Sequence, residues 1–282
     1  MAVMDPVVST EWLAQRLGSP DLRVVDGSWF MPAEARSGHE EYLRVHIPGA
    51  VFFDIDAIAD LTTDLPHMLP TPEAFAQAVG ALGLSREVDI VIYDSLGIRA
   101  AARVWWTLRA MGFIRAFVLD GGLKKWLAEA RHVETGDVHP RAVKVAPAFD
   151  PGLVRSADEV RGLLASGGPR LVDARGAARF LGDAPEPRPG LKAGHMPGAA
   201  NVPFDQVVAA DGTLRPAQEL TAIFEAAGVD LAKPIVTTCG SGVTASVLAL
   251  ALARLGRDRT AVYDGSWAEW GALADAPIVT GP

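Results

Sequence analysis

Cys239 is the only cysteine in this chain of 282 residues, and its surroundings are typical of a reactive thiol. It follows the β-rich run Ile235–Thr238 and opens the segment Cys239–Ala245, which contains Gly240 and Gly242 and leads into a helical pattern. Ligands of parallel sheets bind where the strands end. The N–H groups of such a loop and the positive end of the helix stabilise an anion and lower the pKa of a thiol. The pattern predicts a reactive thiolate, with a buried, inert cysteine as the alternative.

The spacing around the cysteine disfavours several other chemistries. A single thiol forms neither an intramolecular disulfide nor a multi-cysteine zinc or iron–sulfur site. A Cys-x5-Arg phosphate loop needs an arginine where this chain has Ala245. Neither the P-loop pattern nor the dinucleotide-binding glycine pattern follows a first strand, and no cluster of His, Cys and carboxylate residues has metal-ligand spacing. We therefore expect no cofactor and no metal.

The sequence segments that surround this loop occur twice in the chain. Four sequence pairs recur in the same order at offsets of 144 to 149 residues: Val24–Asp26 with Leu171–Asp173, His46–Ala50 with His195–Ala199, Val91–Ala100 with Val236–Ala245, and Leu119–Gly122 with Tyr263–Ser266. Collinear matches near half the chain length indicate a tandem duplication. We expect a first domain over residues 1–138, a linker over 139–152 with prolines at 140, 147 and 151, and a second domain over 153–282.

Each copy alternates short β-rich runs with helical patterns, which predicts an α/β fold with a parallel sheet flanked by helices on both faces. Strands are expected at Leu22–Val25, Ile90–Tyr93, Ala116–Leu119, Leu171–Asp173, Ile235–Thr238 and Thr260–Tyr263. Helices are expected at Ser9–Leu17, Pro72–Leu82, Arg99–Met111, Ser156–Ser166, Gln218–Ala227 and Thr244–Leu255.

The two copies differ at the loop itself. The first copy has Asp94 where the second has Cys239, so only the second copy offers a thiol nucleophile. His46 and His195 occupy matching positions before a Pro-Gly turn, and we interpret both as structural histidines. Trp105 and Trp106 are expected in the core or an interface rather than at a ligand.

Composition sets the broad class of the protein. The chain is 49% hydrophobic and 21% charged, which is typical of a soluble globular protein and excludes disordered, collagen-like and disulfide-rich classes. Its 26 Lys and Arg residues against 34 Asp and Glu give a net charge of −8, which disfavours nucleic-acid partners and anionic membranes. The start of the chain shows no secretory signal, and we expect a cytoplasmic protein.

The loop Cys-Gly-Ser-Gly-Val-Thr-Ala resembles the active-site loop of the 3-mercaptopyruvate sulfurtransferases, two-domain enzymes of the rhodanese superfamily. The resemblance covers essentially the whole chain, through the segments 46–50, 52–56, 67–70, 172–175, 185–188 and 264–267. It implies two tandem rhodanese-like domains, the first non-catalytic and the second catalytic. Rhodaneses proper carry basic residues after the cysteine, and Gly240 and Ser241 stand there in this chain, which favours 3-mercaptopyruvate over thiosulfate.

The resemblance also implies a reaction and the residues that perform it. Cys239 would take sulfur as a persulfide with release of pyruvate, and a thiol, reduced thioredoxin or cyanide would then remove it. The backbone of Gly240, Gly242, Val243 and Thr244 would bind the anionic groups. Arg179 and Arg188 would bind the substrate carboxylate, while Ser241, His67 and Asp56 would form a proton relay. His67 has no counterpart in the second copy, as expected of a specialised residue.

Alternatives stay open for each assignment. Either arginine could merely pair with Glu186 or Asp183, and His67 could be a surface-loop histidine. A thiosulfate-preferring sulfurtransferase of the same fold is a second function. A non-enzymatic sulfur carrier or regulatory module is a third, which the intact Cys239 loop disfavours.

Overall fold

In the computed structural model, which describes residues 5–166 and 170–282, the chain forms two compact units. Unit 1 contains the described residues up to Thr62, Leu69–Asp150 and Ala209–Leu214. Unit 2 contains Thr63–Met68, the described residues of Pro151–Val208, and Arg215–Pro282. A short segment of each half thus groups with the unit built mainly from the other half. Residues 1–4, from which a signal peptide was judged absent, lie outside the described residues.

Unit 1 is built on a five-stranded sheet in which every neighbouring pair of strands is parallel. The strands are β1 (Val7–Val8), β2 (Leu22–Asp26), β3 (Val51–Phe52), β4 (Asp89–Tyr93) and β5 (Ala116–Leu119), in the order β1-β5-β4-β2-β3. Every residue of the central strand β4 is buried, as expected for a parallel strand that is covered on both faces.

The helices of unit 1 connect these strands. They are α1 (Thr10–Arg16), α2 (Gly38–Arg44), α3 (Pro72–Ala81), α4 (Ala100–Ala110) and α5 (Gly122–Ala128). Three of them begin at side-chain caps. Ser9 Oγ accepts from the Trp12 amide (3.1 Å), Ser37 Oγ from the Glu40 amide (3.2 Å) and Thr71 Oγ1 from the Ala74 amide (3.2 Å). Such caps satisfy N–H groups that the first helical turn leaves without intrahelical partners.

Unit 2 repeats this plan. Its strands are β6 (Val154–Arg155), β7 (Arg170–Asp173), β8 (Ala200–Asn201), β9 (Ile235–Thr238) and β10 (Ala261–Tyr263), in the equivalent order β6-β10-β9-β7-β8 and again all parallel. Its helices are α6 (Ala157–Ser166), α7 (Ala177–Leu181), α8 (Ala217–Ala226), α9 (Val243–Arg254) and α10 (Ser266–Trp270). The duplication read from the sequence is therefore a duplication of sheet topology.

Each unit has an apolar core of its own. In unit 1 a buried cluster includes Leu13, Val24, Val91, Leu119 and Trp126, and in unit 2 one includes Val160, Leu171, Val236, Trp267 and Trp270. Burial of such side chains is the main favourable term in folding, at about 1.5–3 kcal/mol for each large apolar side chain. Trp105 and Trp106 on α4 are also buried, which agrees with the expectation that they lie in the core or an interface.

The predicted linker, 139–152, is divided between the units: residues 139–150 belong to unit 1, and residues 151 and 152 belong to unit 2. The amide of Val143 donates to the carbonyl of Gly80 (2.9 Å), and the amide of Asp150 donates to that of Ala110 (2.7 Å). Gly80 lacks a side chain for a reason, since a Cβ there would lie 2.6 Å from the Val143 carbonyl oxygen. The segment thus covers the ends of α3 and α4.

Within the described part of the chain, no helix combines the length and the apolar composition that a membrane crossing requires.

Candidate active site

Cys239 lies directly after β9, the central strand of the unit 2 sheet, where the chain turns into α9. Its side chain is buried, at 2% exposure. Gly242 precedes the helix with φ 78°, a left-handed conformation that glycine adopts without strain from a Cβ. The carboxyl end of a central parallel strand is the usual place for a ligand, and the helix end there favours an anion.

The backbone carbonyls next to Cys239 are bound by the start of α10. The amide of Trp267 donates to the Cys239 carbonyl (2.9 Å), and the amide of Ala268 donates to the Gly240 carbonyl (2.9 Å). Because a trans peptide directs its C=O and N–H in opposite directions, the N–H groups of Gly240 and Ser241 point away from α10.

These N–H groups remain available to a ligand. Among the described residues, no oxygen accepts a hydrogen bond from the amides of residues 240–245. The segment includes Gly242, Val243 and Thr244, and the amides of Val243 and Thr244 lie in the first helical turn, which has no intrahelical acceptors for them. The loop therefore presents unsatisfied N–H donors next to the only thiol, an arrangement that stabilises negative charge on sulfur.

The matching loop of unit 1 shows the same donors already occupied. One oxygen of the Asp94 carboxylate accepts from the Leu96 amide (2.8 Å), and the other accepts from the amides of Arg99 and Ala101 (2.8 Å each). The protein's own carboxylate thus satisfies the amides of this loop. In unit 2 the residue in that position is Cys239, which leaves room for an external anion.

Two arginines converge on the Cys239 loop. A Cβ built on Gly240 would lie 3.2 Å from Arg179 Nη2 and 4.0 Å from Arg188 Nη1. A Cβ at position 240 would crowd Arg179 Nη2, whereas it would make only an ordinary contact with Arg188 Nη1. The structure brings together the cysteine and both arginines that the resemblance assigns to the substrate.

Arg179 also has a protein partner. Its Nε (3.3 Å) and Nη2 face the carboxylate of Glu186, whose side chain is 2% exposed. The pairing of Arg179 with Glu186, held open as an alternative, is therefore present. It does not exclude a substrate role, because a guanidinium has five N–H donors and this pairing uses one edge of it.

Glu186 in turn belongs to a buried ionic group. Its other contact is Arg175 Nη1 (2.7 Å), and Arg175 binds Asp173 through Nη2 (2.7 Å) while its guanidinium lies 4.1 Å from the ring of Trp267. Burial alone would lower the pKa of Arg175, but the carboxylates of Asp173 and Glu186 outweigh it and raise that pKa above its usual value. These contacts fix Glu186, and through it Arg179.

His67 is buried, at 7% exposure, and belongs to unit 2 although it comes from the first half of the sequence. A surface-loop histidine is therefore excluded. Its backbone has φ 62°, in the left-handed region that a residue with a side chain rarely adopts. Ser241 of the Cys239 loop is buried in the same unit.

The second copy has no histidine that matches His67, but the repeat gives this position an equivalent residue, Gly212, which lies against the Asp94 loop of unit 1. Gly212 lies 145 positions after His67, belongs to unit 1 and has φ 88°. A Cβ built on Gly97, the unit 1 counterpart of Gly242, would lie 2.9 Å from Gly212 Cα. The segment 209–214 therefore packs on the Asp94 loop in unit 1.

Asp56, the third residue of the predicted relay, lies in unit 1. It is exposed, and its carboxylate accepts from Trp29 Nε1 (2.8 Å).

The shared histidines have structural contacts. Nδ1 of His46 lies 2.9 Å from the Tyr42 carbonyl, and Nδ1 of His195 lies 2.8 Å from that of Phe180. Each ring also stacks on the aromatic side chain of the same partner, with ring centres 4.4 Å and 3.7 Å apart. This geometry agrees with their interpretation as structural residues.

Metal binding finds no support in this arrangement. Among the described residues, no group of three or more His, Cys, Asp or Glu side chains is placed to hold a metal ion.

Comparison with known proteins matches both units to one family model, the Rhodanese-like domain, over residues 9–129 and 156–273. The chain belongs to the rhodanese-like domain family. The thiosulfate/3-mercaptopyruvate sulfurtransferase 1, mitochondrial, of Arabidopsis thaliana is 44% identical over 299 residues, which cover 99% of this chain and 79% of that protein. The 3-mercaptopyruvate sulfurtransferase of Escherichia coli is 44% identical over 274 residues, which cover 96% of each chain.

A solved structure supports the same family assignment for this rhodanese-like chain. The crystal structure of SseA from Escherichia coli, described as a 3-mercaptopyruvate sulfotransferase with the rhodanese fold, has a TM-score of 0.86 and 41% identity over 94% of this chain and 99% of that chain. The predicted α/β fold with two rhodanese-like domains is confirmed, and so is the prediction that the protein is a sulfurtransferase.

Sequence reasoning missed two contributors to the site of this rhodanese-like protein. Glu186 was considered only as a competitor of the arginines, whereas it fixes Arg179 through the contact with Arg175. Ser266, whose Oγ accepts from the Cys239 amide (3.2 Å), was not considered. A signal for Ser266 was present, because the repeat has Gly122 at this position in the first copy.

Proposed function

We propose that this sulfurtransferase takes sulfur from 3-mercaptopyruvate onto Cys239 and passes it to a thiol or to cyanide. The observation that supports this most strongly is the contrast between the two loops. Asp94 satisfies the amides of its own loop, whereas the loop of Cys239 keeps N–H donors open beside a thiol and two guanidinium groups.

The proposed reaction has two displacement steps. In the first, the Cys239 thiolate attacks the sulfur of 3-mercaptopyruvate and forms an S–S bond. The C–S bond of the donor breaks, and its electron pair remains on carbon as the enolate of pyruvate, which takes up a proton. In the second step an acceptor thiolate or cyanide attacks the outer sulfur, and the Cys239 thiolate leaves. The acceptor becomes a persulfide or thiocyanate, and the covalent intermediate predicts ping-pong kinetics.

The loop amides act on sulfur in both steps. Negative charge lies on Sγ before the first step and on the outer sulfur of the persulfide after it. The donors of residues 240–245 are in place for both states, so little reorganisation is needed as the charge moves. A helix N-terminus adds the favourable end of its dipole.

Arg179 and Arg188 are proposed to bind the donor. A guanidinium binds a carboxylate and a neighbouring keto oxygen through parallel N–H donors, which an ammonium group does less well. Both groups stand beside Gly240, so a donor bound there has its sulfur within reach of the adjacent Cys239.

Ser241, His67 and Asp56 are proposed to supply and remove protons. Imidazole titrates near neutral pH and suits this task, and a carboxylate can fix its tautomer. The burial of His67, its left-handed backbone and the packing of its unit 1 counterpart on the Asp94 loop support this role. The membership of Asp56 rests on the family resemblance.

Thiosulfate is a second candidate donor, because the Arabidopsis relative is named for both donors. Two features disfavour it in this chain. Gly240 and Ser241 add no positive charge after the cysteine, and the carboxylate of Glu186 offsets part of the charge of Arg179. A dianion therefore gains less from this site than a carboxylate does.

Steady-state kinetics test the proposal. We expect kcat/KM to be higher with 3-mercaptopyruvate than with thiosulfate, each with cyanide as the acceptor, and the Cys239→Ser variant to be inactive with both. A higher kcat/KM with thiosulfate would show that thiosulfate, and not 3-mercaptopyruvate, is the preferred donor. Full turnover by Cys239→Ser would refute the mechanism. Reduced thioredoxin in place of cyanide tests the proposed protein acceptor, and failure to regenerate the enzyme would exclude it.

A further inference from the structure

Ser266 has a backbone conformation that is unfavourable for any residue with a side chain. Its φ is 50°, and the other non-glycine residues with positive φ in the described chain are Ala35, His67 and Ala130. Ser266 is fully buried and begins α10 directly after β10. Residues held in this region persist only where the surroundings enforce them, and they cluster at functional sites.

In unit 2 two residues with side chains have a positive φ near the Cys239 loop, and unit 1 has glycine at both equivalent positions. The counterpart of Ser266 is Gly122 with φ 55°, and the counterpart of His67 is Gly212 with φ 88°. Glycine adopts these angles at little cost. In two places, therefore, the catalytic unit keeps a side chain where the supporting unit has none.

The side chain of Ser266 contacts the cysteine directly. Its Oγ donates to the carbonyl of Tyr263 (2.8 Å) and accepts from the amide of Cys239 (3.2 Å). Thr238 Oγ1 is 3.4 Å from the same oxygen. The Ser266 hydroxyl donates its proton to the Tyr263 carbonyl, so toward Cys239 its oxygen can only accept a hydrogen bond. It therefore binds the backbone N–H of Cys239 and not the sulfur.

This contact completes the fixation of the peptide groups around Cys239. Ser266 binds the N–H before the side chain, Trp267 binds the carbonyl after it, and Ala268 binds the carbonyl of Gly240. Consecutive residues of α10 thus set consecutive peptide planes. Trp267 and Ala268 direct the N–H groups of Gly240 and Ser241 away from α10 and toward the open side of the loop, and Ser266 fixes the peptide that precedes them and carries the thiol.

Unit 1 does not use this contact. The amide of Leu123 donates to the Asp94 carbonyl (3.0 Å), as Trp267 does to Cys239, but Gly122 has no side chain to reach the Asp94 amide. A Cβ on Gly122 would clash with the Asp94 carbonyl oxygen and would lie 2.7 Å from that of Gly97. In unit 1 the backbone of Gly122 therefore packs directly on the backbone of the Asp94 loop, whereas in unit 2 the Ser266 hydroxyl lies at this position.

We propose that Ser266 is a positioning residue that orients the Cys239 peptide so that the loop presents its N–H groups to the thiolate and the persulfide. The inference rests on the proposed role of Cys239. It assigns a function to the strained serine, whose own hydroxyl does not contact the substrate. Loss of the hydroxyl would free the peptide between Thr238 and Cys239, so that the thiol could shift relative to the N–H groups that Trp267 and Ala268 direct. The stabilisation of negative charge on sulfur would then weaken.

Two variants separate the hydroxyl from the strain. Ser266→Ala keeps the Cβ and the unfavourable φ but removes the acceptor, whereas Ser266→Gly removes the acceptor and relieves the strain. We expect both to form the persulfide about tenfold more slowly at saturating 3-mercaptopyruvate. The KM should stay within about twofold, because Arg179 and Arg188 bind the donor in both variants. A purely structural serine predicts instead that Ser266→Gly is as active as the wild type.

A second readout does not depend on turnover. Because Cys239 is the only cysteine, the rate of alkylation by iodoacetamide reports on this thiol alone. We expect the midpoint of its pH profile to move to higher pH by about half a unit or more in both variants, since the N–H groups of the loop are then less well placed to stabilise the thiolate. Unchanged midpoints in both variants would overturn the inference. A wild-type protein that forms no persulfide would refute the proposed function, and the alkylation profiles would still decide the role of Ser266.

Discussion

The buried carboxylate of Glu186 binds the guanidinium of Arg179 and so determines where that guanidinium stands beside Gly240. The same carboxylate binds Arg175, which is itself fixed by Asp173. An arginine with three rotatable methylenes is thereby restricted before a donor arrives, which reduces the entropy lost on binding.

Glu186→Gln is expected to weaken both stability and donor binding. It leaves two guanidinium groups with one fewer carboxylate, and loss of one partner from a buried pair costs about 3 kcal/mol. We expect the KM for 3-mercaptopyruvate to rise about tenfold because Arg179 is no longer oriented. Urea unfolding and steady-state kinetics measure the two effects.

The exposed pair of Arg215 and Glu219 (2.9 Å) provides the control for this variant. Glu219→Gln should change the free energy of unfolding by less than about 0.5 kcal/mol, as is usual for surface ion pairs. If the two variants lost the same free energy of unfolding, the buried contacts of Glu186 would stabilise the protein no more than a surface ion pair does.

His67 should be needed for turnover but not for the conformation of its backbone. His67→Gly and His67→Ala both remove the imidazole, and we expect kcat to fall by about a hundredfold or more in each. Because φ is 62°, glycine should be more stable here than alanine by about 1 kcal/mol. Thermal unfolding with parallel kinetics tests both statements, and an unchanged kcat in the glycine variant would remove His67 from the mechanism.

Asp94→Asn should destabilise unit 1. The side-chain amide would direct N–H groups toward the amides of Arg99 and Ala101, which now donate to the carboxylate. Unsatisfied buried donors of this kind cost about 2–3 kcal/mol. Faster hydrogen exchange at residues 94–101 is the expected observation. Asp60→Asn, in an exposed loop, is the comparison, and equal protection in the wild type and the Asp94 variant would contradict the account.

Asp26 makes the stability of unit 1 dependent on pH. Burial raises the pKa of this carboxyl from 3.8 to about 6, and the hydrogen bonds from Ser28 only partly oppose the rise. Since folding favours the protonated form, the stabilisation is complete below pH 3.8 and is lost as the pH rises through about 6. We expect Asp26→Asn to be more stable than the wild type at pH 7, because a neutral amide replaces a buried charge.

Urea unfolding from pH 4 to pH 7 checks this prediction. The stability difference between Asp26→Asn and the wild type should grow over this range. A constant difference would mean that Asp26 does not titrate there.

The longer elements were predictable because their patterns are strong. β5 and β9 have the predicted bounds, and α4 and α9 each begin and end within one residue of prediction. The two-residue strands β1, β3, β6 and β8 were missed, since two residues cannot show a periodicity. These strands exist through pairing with a neighbour, which is a tertiary effect.

The residues of the site could be predicted from the sequence, but the packing and backbone conformations that hold them in place could not. The loop of Cys239 and the two arginines follow from the repeat and the family resemblance. The grouping of residues 63–68 with unit 2 does not, because it depends on packing between segments far apart in sequence. The left-handed backbone of Ser266 was equally hidden, since serine is not a residue type that favours positive φ.

Intact-protein mass spectrometry shows whether Cys239 carries sulfur. The protein is exposed to 3-mercaptopyruvate without an acceptor, and pyruvate is measured in the same sample. If Cys239 is a sulfur carrier, we expect each chain to gain one sulfur atom, one equivalent of pyruvate to form, and the added sulfur to be lost when cyanide is supplied. Pyruvate release with no added sulfur, or an equal gain of sulfur by Cys239→Ser, would contradict it.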